Sequence, residues 1–430
     1  MGLDIRNAEL EGRRVDVRIE GGRISSIEAA GTSTGPEDPH TIGAEGNYLV
    51  PALKNGHGHA AMTLLRGFAD DMKLQPWLEE KIWPAEAALT PEDIYWGTRL
   101  AALEMIHSGT VFYNDMYFFF PQAYRAYQDA GIKAAVGPAL FDFFDEAKGK
   151  EVIEENRRLF EEYGGKNERI IFSPAPHSIY TVSERTLRWA AEFSRENGLP
   201  LHIHLCETEK EVEDCLAAHG KRPAEYLADI GFLGPNVAAA HAVWLSDREI
   251  ELLAESGSTV VHNPASNMKL ASGSCFPYRR LKEAGVPMML GTDGCSSNNN
   301  LDMFEEMKIA ALLQKHHFGD PEVLPAEEIF AVAAGAWTAA SGAVPKVFPY
   351  LSGKVEEGAH ADLLLIDRNH PSMVPAHNLT SNLVYAGGGG AVDTVICNGE
   401  VLLQKGKIDG EEEVIEEARG RAEELRRRIG

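Results

Sequence analysis

Leu49-Val50-Pro51-Ala52-Leu53-Lys54-Asn55-Gly56-His57-Gly58-His59 is the stretch that decides how this chain is read. It starts as an apolar strand and breaks into glycines around two histidines. Residues i and i+2 of a strand share a face, so both imidazoles point the same way. Two neutral imidazoles side by side are the start of a Zn²⁺ site. Three further metal-type residues follow, each isolated in sequence: His204, His241 and Asp293. A second His-x-His, His202-Ile203-His204, contains one of them. His202 is expected to face the helix layer and is set aside.

Around that stretch the chain changes style twice. Residues 1–49 read as short strands and turns, with Val15–Ile19 alternating, Glu20-Gly21-Gly22 turning and Arg23–Ile27 resuming. The style returns near the other end in Ala361–Asp367 and in Val392–Cys397. Asn398-Gly399 then turns into Glu400-Val401-Leu402 as a hairpin. Between them, apolar strands alternate with amphipathic helices, the pattern of a parallel α/β domain. Thr90-Pro91-Glu92-Asp93 caps a helix to about Ile106, closed by Ser108-Gly109. With the His57 strand, the segments Thr110–Tyr113, Ala134–Pro138, Ile170–Ser173, Leu201–Leu205, Ala238–His241, Thr259–His262 and Met288–Gly291 make eight.

The expected fold is therefore α/β: a distorted (β/α)₈ barrel over 50–350. Residues 1–49 and 351–410 make the two parts of a small β-sandwich, and 411–430 form a C-terminal surface helix. Each metal-type residue falls at the C-terminal end of its own strand, and in such a barrel those ends meet on one face. Imidazoles with one carboxylate suit Zn²⁺ or Fe²⁺ better than Mg²⁺. A metal so held would bring the pKa of a bound water towards neutrality. Glu207, three residues past His204, is placed to carry protons beside the metal without ligating it.

Composition narrows the partners. The net charge of −24 over 430 residues disfavours nucleic acid and anionic membrane, because both require clustered Lys and Arg. The five cysteines include no CxxC pair, and no apolar stretch reaches membrane-spanning length. A cytoplasmic protein acting on a small molecule is expected. The run Phe118-Phe119-Phe120 reads as a subunit interface, hence a homo-oligomer, and Trp77 and Trp83 read as core or interface packing.

Several stretches in this order resemble the amidohydrolase superfamily: PALKNGHGHAAMTLLRGFADD, WLEEKIWPAEAALTPED, SPAPHSIYTVS, LHIHLCETEKEV, AAHAVWLSD, VVHNPASNMKLASG and LGTDGCSSNNNLDMFEEM. The similarity is to its mononuclear branch of ring deaminases, and within it to 5′-methylthioadenosine/S-adenosylhomocysteine deaminases. The resemblance implies that His57, His59, His204 and Asp293 bind one divalent metal, Zn²⁺ or Fe²⁺. It implies that Glu207 shuttles protons to the purine, that His241 hydrogen-bonds the hydrolytic water and that Asp293 helps deprotonate it. His177 would contact substrate, and Glu86 would accept hydrogen bonds from ribose hydroxyls. The implied reaction is hydrolytic deamination of an adenine nucleoside, the alternatives being guanine, a pterin, cytosine or an s-triazine. A carbonyl-cleaving hydrolase and a non-catalytic metal-binding scaffold also stay open.

Two departures from the family pattern carry expectations. Binuclear relatives place a carboxylated Lys where this chain reads Ile170–His177 without one, so one metal is expected. Relatives that handle S-adenosylhomocysteine carry an Arg after the strand that here reads Ala134–Phe144. This segment has aromatics and acids instead, a negative lip that would disfavour a carboxylate-bearing 5′ group.

Overall fold

The computed structural model describes residues 2–31, 40–336 and 353–430. The expected boundary at 350/351 lies outside the described residues.

The middle of the chain supplies the barrel strands. These are β1 (Leu53–Gly58), β2 (Thr110–Tyr117), β3 (Lys133–Leu140), β4 (Ile170–Phe172), β5 (Leu201–Leu205), β6 (Val237–His241), β7 (Thr259–His262) and β8 (Met288–Leu290). All pair in parallel, in two curved halves: β1 to β4, with a short continuation at Ala175–Pro176, and β5 to β8. Parallel strands covered on both faces tend to be apolar, and β6 is nearly so, but β1 and β2 also bury the polar Lys54, Asn55, His57, Asn114 and Asp115. Backbone bonds close the two seams. His204 N donates to His177 O at 3.0 Å, and Asp293 N donates to His57 O at 3.0 Å. Asn55 and Thr292 reinforce the second seam, with side-chain bonds of 2.7 and 3.1 Å.

Both chain ends build one eight-stranded sheet, in which Asn47–Pro51 pairs antiparallel with Leu363–Asp367. Its inner face closes on a separate core that includes Ile5, Val17, Ile19, Leu363 and Ile396. The Asn398-Gly399 turn forms as expected, with φ of 51° and 78°, between Val392–Cys397 and Glu400–Gln404. The helix Pro91–His107 starts with the expected capping box between Thr90 and Asp93. The tail helix Glu411–Ile429 lies antiparallel on it, fixed at both ends by Glu411–His107 (2.9 Å) and Arg428–Asp93 (2.7 Å). Among the described residues, no helix is long and apolar enough to cross a membrane.

A buried ion pair ties the sheet to the barrel floor. Lys133 Nζ, at the base of β3, donates to both oxygens of Asp362 at 2.7 and 2.8 Å. Lys54 is buried beside them, and burial draws its pKa down to about 8. Removing one member of such a pair strands a charge in the interior. Asp362→Ala should therefore cost about 3–5 kcal/mol, read as a fall in the denaturation midpoint with no change in metal content.

Candidate metal centre and active site

Three imidazoles reach the mouth of the barrel with their Nδ1 atoms already engaged. His59 Nδ1 donates to Met116 O at 2.7 Å, and His204 Nδ1 to His177 O at 2.8 Å. A carbonyl can only accept, so the proton sits on Nδ1 and the Nε2 lone pair is free. His57 Nδ1 lies 2.8 Å from His202 Nε2. The Nε2 atoms then converge. Asp293 Oδ1 is 3.3 Å from those of His57 and His59, and His204 Nε2 is 3.4 Å from His59 Nε2.

That spacing is chemically specific. Ligand atoms arranged tetrahedrally at about 2.05 Å from zinc stand ~3.3 Å from one another. His57 Nε2 is also a buried nitrogen with no hydrogen-bond partner among protein atoms. The residues present therefore fit one divalent ion. Close approach depends on Gly58: a Cβ there would lie 1.9 Å from the Tyr113 hydroxyl oxygen. Asp293 is held for the task. Its Oδ2 accepts from Ser266 Oγ (2.6 Å) and Ser297 Oγ (3.2 Å), leaving Oδ1 towards the imidazoles. Burial raises its pKa, but His57 and His59 outweigh burial and hold it well below the usual carboxylate range.

His241 and Glu207 face the same centre. His241 Nε2 is 3.8 Å from Glu207 Oε2. Asn267 Nδ2 donates to His241 Nδ1 at 2.9 Å, so the neutral ring carries its proton on Nε2, towards the site. Burial keeps that ring neutral, drawing its pKa down to about 3. Glu207 is buried too, and burial, with Asp293 and Glu211 adding, pushes it well above the usual carboxylate range. A carboxyl that readily holds a proton is what a proton carrier requires. Cys206, His241, Ala242 and Asp293 all have left-handed φ, of 51°, 73°, 51° and 64°. Strain of this kind in non-glycine residues gathers at functional sites.

Above the centre lies a cavity of about 600 Å³, open solvent at its mouth included. His177 lines it, its Nδ1 engaged with Ser178 Oγ (3.0 Å) and Thr181 Oγ1 (2.9 Å), and burial draws its pKa down to about 3. Glu86 lines it too, and burial pushes its carboxyl up to about 7 against Tyr117 and His59. Beyond Glu86 the cavity runs into an outer apolar groove, sharing Trp83, Phe118 and Phe141 with it. Rings step outward from metal site to surface: His204 to His177 (4.6 Å), His177 to Phe141 (4.6 Å), Phe141 to Phe143 (5.6 Å).

Several expectations change. His202 does not face the helix layer; being two residues from His204 it shares that face, one layer deeper, and meets His57. Trp77 is buried in the core as expected, with Trp83 packed against that core, and both also line the cavity; Phe118 and Phe119 line the groove, and Phe120 is core. The lip acids do not line the groove. Asp142 is buried, accepting from Ser183 Oγ and Thr186 Oγ1 at 2.6 Å each, and Asp145 caps the helix Glu146–Tyr163. That helix brings Lys148 Nζ to 4.6 Å from the centre of the Phe143 ring, so the groove carries a cation. Asn267, Ser266, Ser297 and Glu211 carried no sequence signal beyond lying within the quoted motifs. Only His202 was legible, from its i, i+2 spacing.

Fold and site together define a metal-dependent hydrolase built on a (β/α)₈ barrel. The chain belongs to the amidohydrolase family, whose model matches residues 48–402. It is 52% identical over 388 residues to a 5′-deoxyadenosine deaminase of Methanoregula boonei, covering 90% of this chain and 86% of that one. It is 46% identical over 417 residues to 5-methylthioadenosine/S-adenosylhomocysteine deaminase 1 of Archaeoglobus fulgidus, covering 95% of each. Among solved structures, a zinc-bound adenosine deaminase of Xanthomonas campestris superposes with a TM-score of 0.90 at 32% identity, over 99% of this chain and 98% of that one. The atrazine chlorohydrolase TrzN of Arthrobacter aurescens, at 20% identity and a TM-score of 0.88, covers 98% of this chain and shares the fold.

The two kinds of residue separate by measurement. His204→Ala should strip metal from the purified protein, read by elemental analysis. Glu207→Gln should keep its metal and lose on the order of 10²–10⁴-fold in turnover.

Proposed function

We propose that this protein is a mononuclear zinc aminohydrolase that replaces the exocyclic amine of an adenine nucleoside with oxygen, releasing ammonia. The observation that carries this reading is one cavity lined both by metal-type residues and by a buried carboxyl, Glu86. His57, His59, His204 and Asp293 would hold the ion, and Glu86 lines the same cavity. A ring amine presented to the metal end leaves a ribose within reach of Glu86. The deaminase names of the relatives support the same chemistry.

When bound, zinc supplies Lewis acidity that makes water nucleophilic near neutral pH. The protein supplies the rest. Asp293 and His241 hold the attacking water against the amino-bearing ring carbon, Asp293 taking a proton and His241 donating a hydrogen bond from Nε2. Glu207 delivers its proton to the adjacent ring nitrogen; the proton that Asp293 took from water then passes to the amine while the added hydroxyl gives its own to Glu207, so that the carbon–nitrogen bond breaks, neutral ammonia leaves and both carboxyls are restored. His177 reaches the purine with its free Nε2. The 5′ group extends into the aromatic groove past Phe141 and Phe143, which favours apolar ends such as 5′-deoxy and 5′-methylthio.

Ammonia release measures this directly across adenosine, 5′-deoxyadenosine, methylthioadenosine, S-adenosylhomocysteine, guanine, cytosine and isoxanthopterin. The expected result is the highest kcat/KM on 5′-deoxy or 5′-methylthio nucleosides and no turnover of free bases. Turnover of a free base alone would remove Glu86 as a ribose contact. Elemental analysis should find one zinc per chain; two tightly held ions would overturn the mononuclear site.

A further inference from the structure

The carboxylate of Glu211 does more than its place in the helix suggests. Glu211 is the third residue of the helix Glu209–His219, and the N-cap Thr208 already accepts from its backbone N–H. In an ordinary capping box an acid at this position returns to the N-cap N–H. Here it engages the Thr208 backbone and also reaches past the N-cap into the loop. Oε1 accepts from Cys206 N at 2.8 Å and Oε2 accepts from Glu207 N at 2.9 Å. The group is 4% exposed, a cost that a helix already capped by Thr208 has no need of.

What the carboxylate holds is the turn that carries Glu207. Cys206 sits in the left-handed region, which a non-glycine residue adopts only where its surroundings hold it there. Its carbonyl accepts from Val243 N (3.0 Å) and Trp244 N (2.9 Å), just beyond His241. Without the Glu211 oxygens, two adjacent buried N–H groups would lose their partners at the point where β5 becomes the Glu207 loop.

We propose that Glu211 is the positioning residue of this active site, its two oxygens clamping the Cys206–Glu207 turn so that the Glu207 carboxyl meets substrate and His241 together. The inference rests on the deaminase reading above. Glu211 itself touches neither substrate nor metal; it acts through Glu207. A Gln at 211 keeps size and shape but presents an amide N–H₂ to one of two N–H donors, so the clamp is half lost.

The test is a double-variant cycle on the zinc-loaded enzyme with its best nucleoside substrate. Glu211→Gln should lower kcat by 10–100-fold, the scale of a small misplacement of a reacting group, while KM stays within about threefold and zinc stays at one per chain. In the Glu207→Gln background the same change should cost nothing further, because a residue acting through Glu207 has nothing left to position. A kcat within twofold of the parent, or losses that multiply in the double variant, would overturn the proposal. A lower thermal midpoint with unchanged kcat, the mark of a plain helix cap, would overturn it equally. Should Glu211→Gln not fold or not load zinc, Glu211→Asp keeps both oxygens and the charge but is one methylene short. A loss in kcat is then expected, and full kcat would refute the clamp. If the parent enzyme turns over no nucleoside, it is the deaminase reading that fails.

Discussion

One backbone hydrogen bond, from Asp293 N to His57 O, closes the barrel between its last and first strands. It also joins two members of the metal-ligand set. Closing the fold and assembling the centre are thus one event: the strand ends cannot meet without bringing Asp293 Oδ1 to 3.3 Å from His57 Nε2. Four like-minded polar groups in a buried space are costly unless something compensates them. The protein meets that cost by pinning each Nδ1 to a carbonyl or to His202 and by giving Asp293 Oδ2 two hydroxyl donors. The lone pairs that remain all face one point.

The rest of the mouth is arranged around that point by loops held in unfavourable backbone. Cys206, His241, Ala242 and Asp293 each leave their strand through left-handed φ. Such turns swing the side chain back over the barrel axis instead of letting the strand run on into its helix. They persist because the surrounding bonds over-determine them: Glu211 on the β5 loop, Asn263 on the His241 N–H at 3.2 Å, His57 O on Asp293. The outer groove, with Phe119 and Phe143 close to half exposed, is lined mostly by apolar residues, with Lys148 among them.

Much of this was legible in the chain. Period-two alternation in the His57 stretch, strands spaced by helical patterns and Thr90–Asp93 capping all rest on local rules, and local rules survive burial. The failures were of another kind. His202 was misassigned although the i, i+2 rule itself places it beside His204. The lip acids seemed to make a negative rim, but a sequence does not show that Asp142 turns inward to two hydroxyls, or that a helix returns Lys148 over Phe143.

The sequence by itself determined the strands, their order and the residue types at their ends, because hydrophobic period and turn chemistry are properties of neighbouring residues. Tertiary structure alone decided which nitrogen of each histidine is free, what holds Asp293 and Glu207 in place, and the sign of charge at the groove. Those depend on partners as distant in sequence as His57 and His202, which only closure of the barrel brings within 2.8 Å.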